Sequence, residues 1–128
     1  MTNTSIIWIF LHSFAAHIKD AVFLENKDDV MTFIKDLYST LKCKFCKNHS
    51  FYYLSTYKDK IDTKENLIIY LYKFHESVNK KLYKPSFAID KLQNYKKTNF
   101  DTIINMFLKE NKNEKIITFL ESNRNWFN

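Results

Sequence analysis

The feature that most constrains this chain is a missing residue type: none of its 128 residues is glycine, and Pro85 is the only proline. Glycine and proline are the residues least compatible with a helix interior. Large apolar residues also recur at the 3.6-residue period of an α-helix, whereas strand patterns are weak. The sequence therefore predicts helices throughout and an all-α fold.

The length of the chain allows a single core. With 128 residues, 45% of them hydrophobic, it is long enough for one core and too short for two ordinary domains. We expect a first unit over residues 1–97. Residues 98–128 are expected to form a helical extension that packs on this unit or at a dimer interface.

Four helices are predicted before Pro85, and their simplest packing is a four-helix bundle around one core. Ser5 is the expected N-cap of the first helix, and Asp62 or Thr63 that of the fourth. Pro85 stops the fourth helix from extending further. The four helices are expected over residues 5–19, 27–41, 41–53 and 62–82.

After Pro85 the helical pattern is weaker. One short helix is expected over residues 87–95, followed by a break. Residues 100–109 and 114–120 then form two amphipathic segments whose apolar stripes need burial. The stripe residues are Phe100, Ile103, Ile104, Phe107, Ile116, Ile117 and Leu120. Because these segments contain neither cysteine nor histidine, we expect them to contribute to packing and not to chemistry.

Charge and hydropathy argue against two classes of partner. The net charge is +6, but the lysines are scattered among acidic residues, so no nucleic-acid partner is expected. The apolar run from Ile6 to Ala16 is too short to span a bilayer and contains His12. It is therefore interpreted as a buried helix, and no transmembrane segment is expected.

The reactive feature of the chain is Cys43-Lys44-Phe45-Cys46, which contains its only two cysteines. At the start of a helix both sulfurs lie on one face, where free N–H groups and the helix dipole stabilise a thiolate. Neighbouring lysines add positive charge. Such a pair accepts and passes on electrons, so redox chemistry is predicted, with two buried structural cysteines as the alternative.

Three stripes of polar and aromatic residues at helical spacing accompany the cysteines. A single histidine on such a face is more often a satisfied core residue than a ligand. Three such histidines beside a cysteine pair favour a bound ligand, because burying so many polar groups without a ligand is costly. The stripes are Trp8 and His12 in the first helix, Cys46, His49 and Tyr53 in the third, and His75, Val78, Asn79 and Leu82 in the fourth.

These residues resemble the motifs of one family. Residues 8–15, WIFLHSFA, are similar to the WxxLHxxA opening of the Erv/Alr flavin-linked sulfhydryl oxidases. Residues 43–49, CKFCKNH, resemble the CxxCxxH form of their redox centre in large DNA viruses. Residues 75–85, HESVNKKLYKP, resemble their HNxVNxxLxKP motif. The resemblance covers about residues 6–95, with the motifs in the family's order.

The resemblance implies a four-helix bundle that binds FAD non-covalently beside the cysteine pair. Aromatic rings can stack on this cofactor, and Lys84 can offset phosphate charge. Glu76 stands where the family usually has Asn, and His17 where an aromatic residue is usual. By motif position, the residues expected to contact FAD are Trp8, His12, Cys46, His49, His75, Val78, Asn79, Leu82 and Lys84.

The activity implied by the resemblance is that of a thiol oxidase with Cys43 and Cys46 as catalytic residues. Substrate thiolate would attack their disulfide at Cys43, Cys46 would face the flavin, and oxygen would reoxidise FAD to give hydrogen peroxide. The second cysteine pair common in the family is missing. The expected partners are therefore a thiol-bearing protein substrate or a small dithiol relay protein. The resemblance also suggests a homodimer and a viral protein of the host cytoplasm or the virion.

Two other interpretations stay open from the residues alone. Cys43, Cys46 and two of the three histidines His12, His49 and His75 could hold structural zinc, although zinc ligands usually occur as pairs close in sequence. Under the oxidase interpretation no metal site is expected. The chain could also be a helical interaction module that keeps the bundle without any cofactor.

Overall fold

The computed structural model describes the backbone of residues 3–128 and the side chains of residues 6–128. The described residues are mostly helical and form no β-strand, which confirms the predicted all-α fold. The four predicted bundle helices correspond to the first, third, fourth and fifth observed helices. The helices are α1 Asn3–His17, α2 Asp20–Glu25, α3 Lys27–Ser39, α4 Lys44–Tyr57, α5 Lys64–Lys81, α6 Phe100–Glu110 and α7 Glu114–Ser122.

The boundaries of α1 and its surroundings differ from the prediction. Helix α1 begins at Asn3, so Ser5 lies within the helical backbone, and the side chain of Ser5 is outside the described residues. The helix ends at His17 because Ile18 leaves the helical path to form an isolated antiparallel bridge with Phe127. The short helix α2 that follows was not predicted.

Two other elements can be compared with their predicted boundaries. Thr63 caps α5, since its side-chain oxygen accepts a hydrogen bond from the backbone N–H of Asn66 at 3.1 Å. The short helix expected over residues 87–95 is a 3₁₀ segment, Ile89–Lys97, which extends into the predicted break.

Helix α1 is the central element of the fold. It packs against α5, α6 and the 3₁₀ segment Ile89–Lys97. On one side Phe10 stacks on Phe107 of α6, with ring centroids 4.1 Å apart. On another, Phe14 stacks on Phe33 of α3 at 5.2 Å. These four phenylalanines are buried, so the core continues from the predicted bundle into the C-terminal extension.

The C-terminal extension is packed within the chain. Helix α6 lies on α1, and α7 lies on α3. The chain end returns to α1, where the backbone N–H of Asn128 donates to the carbonyl oxygen of His17 at 2.8 Å. The predicted apolar stripes are thus covered inside one chain, except that Ile117 is only half-buried. The stripe residues buried here are Phe100, Ile103, Ile104, Phe107, Ile116 and Leu120.

Within residues 3–128, no helix is both long enough and apolar enough to cross a membrane.

Candidate redox and cofactor site

The cysteine pair forms the first turn of α4. Cys43 is the N-cap, and its Sγ accepts a hydrogen bond from the backbone N–H of Cys46 at 3.2 Å. Both side chains are free thiols, with Cys43 exposed and Cys46 half-buried. The turn therefore presents one sulfur to solvent and directs the other toward the protein, as expected from their spacing on a helix.

The two thiols differ in acidity. Hydrogen bonds from the Cys46 side chain and backbone N–H lower the pKa of Cys43. Burial raises the pKa of Cys46 to about 11, and the hydrogen bond and charge of Cys43 add to the increase. The expectation that the helix start stabilises a thiolate is therefore met at Cys43 only. In the reduced pair Cys43 is the thiol that ionises first.

A cleft of about 390 Å³ opens beside the two cysteines. This volume is within the range of small-molecule binding sites. Aromatic and aliphatic side chains form most of its wall, and lysines lie among its polar groups. Its lining residues include Trp8, Lys42, Cys43, Cys46, Phe74, Val78, Leu82, Lys84, Phe107, Glu110 and Asn111.

Five of the nine residues predicted to contact a cofactor line this cleft: Trp8, Cys46, Val78, Leu82 and Lys84. They come from α1, α4, α5 and the turn that ends α5, so the fold brings together residues that are up to 76 positions apart. The other four do not line it. His12 and His75 pack against Trp8, and His49 packs against Phe74, both cleft residues. Asn79 is joined to the cleft residue Lys84 by a backbone hydrogen bond.

His75 and His12 form the layer behind Trp8. The ring of His75 stacks on Trp8 with centroids 4.0 Å apart and planes 8° apart. His75 Nδ1 lies 2.9 Å from Nε2 of His12, which is itself buried. Phe87 and Tyr95, from the segment after Pro85, lie against the His12 ring at 5.6 and 5.0 Å. Trp8 is therefore backed by a packed stack of rings.

Both histidines of this stack are neutral at pH 7. Burial, followed by the charge of His75, lowers the pKa of His12 to about 3. Burial also lowers the pKa of His75 to about 4, with Lys84 adding to the effect and Glu76 opposing it. One ring must then donate and the other accept in their shared hydrogen bond. His12 Nδ1 is buried without a partner among the described residues.

His49 connects the cysteine helix to α5. Its Nε2 lies 3.0 Å from the hydroxyl of Ser77, and its ring lies 5.8 Å from that of Phe74, a cleft residue. Burial and then the charge of Lys81 lower its pKa. His49 thus lies on the α4 face predicted for it, one turn after Cys46, and fixes α4 against α5.

The residues present fit a flavin nucleotide. The cleft offers an aromatic wall to a planar ring system, and Lys42 and Lys84 can offset phosphate charge at its edge. A half-buried sulfur, Cys46, forms part of the same wall.

The predicted site omitted most of the cleft wall, including three residues of the C-terminal extension. Phe107, Glu110 and Asn111 line the cleft from the end of α6. The amide of Asn111 donates a hydrogen bond to Thr40 Oγ1 at 3.1 Å, which ties α6 to the turn before Cys43. The predicted helix ended at residue 109, before Glu110 and Asn111, and the sequence did not indicate what the buried Phe107 contacts.

The two departures from the family pattern have structural partners. Glu76 accepts a hydrogen bond from the backbone N–H of Phe87 at 2.6 Å and so holds the segment after Pro85 in place. His17 Nε2 lies 3.0 Å from Thr98 Oγ1, and its ring stacks on Phe100 at 5.4 Å. Neither residue lies in the cleft wall.

The zinc interpretation finds little support in this arrangement. Among the described residues, no three His, Cys, Asp or Glu side chains come together in a group that could hold a metal ion. His12 and His75 are close, but each contacts aromatic rings and not a cysteine. A structural zinc site normally has four such ligands around one point.

The fold and site define a class of protein: a small helical bundle in which a CxxC pair begins one helix and borders a cleft of cofactor size. The chain belongs to the Erv1/Alr family, whose sequence model matches residues 5–101. The family predicted from the three motifs is thereby confirmed. The match ends at the first turn of α6, so most of the extension lies outside it.

Relatives of the chain are found in large DNA viruses. It is 30% identical over 77 residues to an African swine fever virus protein named FAD-linked sulfhydryl oxidase, covering 60% of this chain and 65% of that protein. A protein of the same name from a second isolate is 27% identical over 97 residues, or 75% of this chain and 82% of its own length. A protein of Invertebrate iridescent virus 3 is 29% identical over 83 residues, 63% of this chain and 56% of its own length. No solved structure matches the chain.

Proposed function

We propose that this protein is an FAD-dependent thiol oxidase that forms disulfide bonds in protein substrates. The observation that carries the proposal is the position of the cysteine pair at the mouth of the cleft. Cys43 is exposed and has a lowered pKa, whereas Cys46 forms part of the wall. The names of the viral relatives support the same activity.

The cysteine pair carries the exchange steps. A substrate thiolate attacks Sγ of Cys43 in the disulfide, the Cys43–Cys46 bond breaks, and Cys46 leaves as a thiolate. A second substrate thiolate then attacks the mixed disulfide and releases Cys43. The substrate is oxidised to a disulfide, while the protein gains two electrons and becomes a dithiol. The lowered pKa of Cys43 makes it the better leaving group in this second step.

The cleft residues position the cofactor and keep water from the reacting sulfur. Trp8, Val78 and Leu82 provide apolar wall, and Lys84 provides positive charge for the phosphates. Held by these residues, FAD would supply a two-electron acceptor for the dithiol that oxygen can reoxidise to give hydrogen peroxide. Cys46 is the donor because it lies deeper in the cleft than Cys43.

The direct test uses the purified chain. We expect it to retain FAD, to oxidise dithiothreitol, and to consume one oxygen and produce one hydrogen peroxide per disulfide formed. A flavin-free protein that carries stoichiometric zinc would favour the metal module instead. A protein with neither would be a helical interaction module.

The natural substrate is proposed to be a thiol-bearing protein or a small dithiol relay protein that reaches Cys43 directly. Association as a homodimer and a location in the host cytoplasm or the virion remain part of the proposal. The apolar stripes of α6 and α7 no longer support a dimer, because they are covered within the chain. Sedimentation of the flavin-loaded protein measures the oligomeric state directly.

His75→Ala and Asn79→Ala should each weaken FAD binding. His75→Ala removes the ring that stacks on Trp8 and the hydrogen-bond partner of His12. This loss should lower the affinity for FAD by roughly tenfold. Asn79 is buried, and its carbonyl oxygen accepts a hydrogen bond from the backbone N–H of Lys84, a cleft residue. The dissociation constant should be measured by flavin fluorescence well below the melting temperature. Lys73→Ala, an exposed change on the same helix, is the control, and unchanged flavin retention in both variants would place the cofactor elsewhere.

Asn111→Ala should loosen the cleft at the C-terminal extension. The substitution removes the hydrogen bond to Thr40, worth about 1 kcal/mol, and should weaken flavin retention by roughly fivefold. Asn105→Ala on the exposed face of α6 is the matched control. Equal flavin affinities in the two variants would show that α6 closes the cleft without supporting the cofactor.

A further inference from the structure

The surface around Cys43 combines two segments that contain no acidic residue. Neither residues 37–58 nor residues 77–89 contain Asp or Glu, although the whole chain has 14 such residues. All the lysines of these segments are exposed except Lys47, which is half-buried. The lysines are Lys42, Lys44, Lys47 and Lys58 in the first segment and Lys80, Lys81 and Lys84 in the second.

The two segments meet at the cysteine pair. Lys81 Nζ lies 5.6 Å from the centre of the Phe45 ring, within the CxxC turn. Lys42 and Lys84 line the same cleft as Cys43. The acidic residue that lines this cleft is Glu110, which comes from α6. Five lysines of the two segments, Lys42, Lys44, Lys47, Lys81 and Lys84, therefore lie near the reactive sulfur, whereas Lys58 caps the far end of α4, about 20 Å along the helix.

Exposed apolar side chains lie within the same basic surface. Phe45 is 56% exposed, Leu82 is 45% exposed and Tyr83 is 97% exposed. Large rings in solvent are characteristic of protein contact sites. Phe45 lies between the two cysteines, and Leu82 lines the cleft, so a partner that reaches Cys43 would meet these side chains.

Tyr83 is held out in solvent by a strained backbone. Its φ of 57° is the only positive value among the described residues. The position follows the end of α5, where the backbone N–H of Lys84 donates to the carbonyl oxygen of Asn79 at 2.8 Å. Helices often end in such a left-handed residue, usually glycine, since a residue with a Cβ costs energy there. An exposed tyrosine at this position gains nothing from packing within the chain.

We propose that this surface, the exposed lysines and apolar side chains around Cys43, docks a protein whose thiol pair is flanked by acidic residues and an apolar side chain. The proposal rests on the oxidase function and names its substrate class. Lysines would accelerate the encounter with an acidic partner, and the apolar contacts would orient its thiolate toward Cys43. A nucleic acid would also be attracted by the charge but carries no thiol for Cys43.

The test compares two peptides with the same CxxC core, one flanked by glutamates and the other by lysines, each with one leucine beside the core. With the flavin-loaded protein at low salt, we expect kcat/KM for the acidic peptide to exceed that for the basic peptide by roughly tenfold or more. The ratio should fall as salt is added. Dithiothreitol carries no charge beyond its reacting thiolate, so it should show much less salt dependence than the acidic peptide and serves as the internal reference.

Variants of the surface separate charge from apolar contact. The double variant Lys44→Glu with Lys81→Glu should remove or reverse the preference between peptides, while Lys115→Glu on α7 should leave it unchanged. Tyr83→Gly should keep or raise the melting temperature, because glycine suits a positive φ, yet lower kcat/KM for both peptides. A purely structural role for Tyr83 would leave peptide kinetics unaltered.

Peptide binding tests the docking surface even if the oxidase function fails. Serine versions of the two peptides bind without any redox step, and their affinities can be measured by fluorescence polarisation. Equal affinities at low salt would overturn the proposal, whether or not dithiothreitol is oxidised. Failure to oxidise dithiothreitol with a clear preference for the acidic peptide would overturn only the oxidase function. A third outcome is that the protein shows no preference between the peptides but binds an oligonucleotide tightly. If the double variant Lys44→Glu with Lys81→Glu loses that binding, the surface is a nucleic-acid binding site instead.

Discussion

Replacing either Cys43 or Cys46 by serine should lower dithiol turnover by roughly 10³-fold or more, because each removes one sulfur of the exchanging disulfide. The two variants should nevertheless differ in their spectra. Cys43→Ser leaves Cys46, the sulfur that lines the cleft, beside the bound flavin. Its thiolate should produce a long-wavelength absorption band that Cys46→Ser lacks.

The band of Cys43→Ser should depend on pH in a defined direction. Burial raises the pKa of Cys46, so the thiolate, and with it the band, must grow as the pH rises. Cys43 contributes part of that increase through its hydrogen bond and charge, and the variant removes this contribution. The midpoint should therefore lie below 11, the value reached in the intact pair.

Spectral titration of both single variants and the double variant provides the measurement. The double variant should show no band at any pH, which excludes other causes of long-wavelength absorption. A band in Cys46→Ser that is absent from Cys43→Ser would reverse the two roles. Iodoacetamide should react faster with the reduced wild type at Cys43 than at Cys46, since Cys43 is exposed and ionises first.

The parts of this site that the sequence predicted are those set by local spacing. A CxxC turn at a helix start and a histidine one turn later need no long-range information, and both are found in α4. The stripe predicted on α5 is divided in the fold, because Val78 and Leu82 line the cleft whereas His75 and Asn79 do not. Motifs of this kind can be recognised in a sequence because helical geometry alone determines which residues are neighbours.

The parts that the sequence did not predict depend on contacts between distant residues. Thr40 and Asn111 are 71 positions apart, and no pattern within either segment specifies their hydrogen bond. Burial of Cys46 raises its pKa, so the assumption that both cysteines become acidic failed. The bridge between Ile18 and Phe127 ended α1 two residues early for the same reason. Tertiary contacts decided each of these outcomes, overriding local preference.

Truncation after Lys97 should prevent folding. Any loss of flavin binding in the truncated chain should be a consequence of this unfolding. The removed segment contributes Phe100, Ile104, Phe107, Leu120 and other buried side chains to the core that also contains Phe10 and Phe14. Burial of each side chain contributes roughly 1.5–3 kcal/mol to the free energy of folding. Together they contribute on the order of 10 kcal/mol, which is comparable to the whole stability of a small domain. Circular dichroism and thermal denaturation should show a chain without a cooperative transition.

A matched pair of substitutions in α6 separates the core contribution from a general effect of the extension. Phe107 is buried against Phe10 at 4.1 Å, so Phe107→Ala should cost about 3–5 kcal/mol in the free energy of unfolding. The neighbouring Met106 is 37% exposed, so Met106→Ala should cost far less, about 0.5 kcal/mol. Chemical denaturation gives both values. The opposite result would be a small loss of stability in both variants, together with a truncated chain that still folds and binds flavin. It would mean that α6 does not contribute to the core and that residues 1–97 fold on their own. The parallel stack of Phe10 and Phe107 argues for the opposite outcome, because that ring pair joins the extension to the helix that carries Trp8 into the cleft.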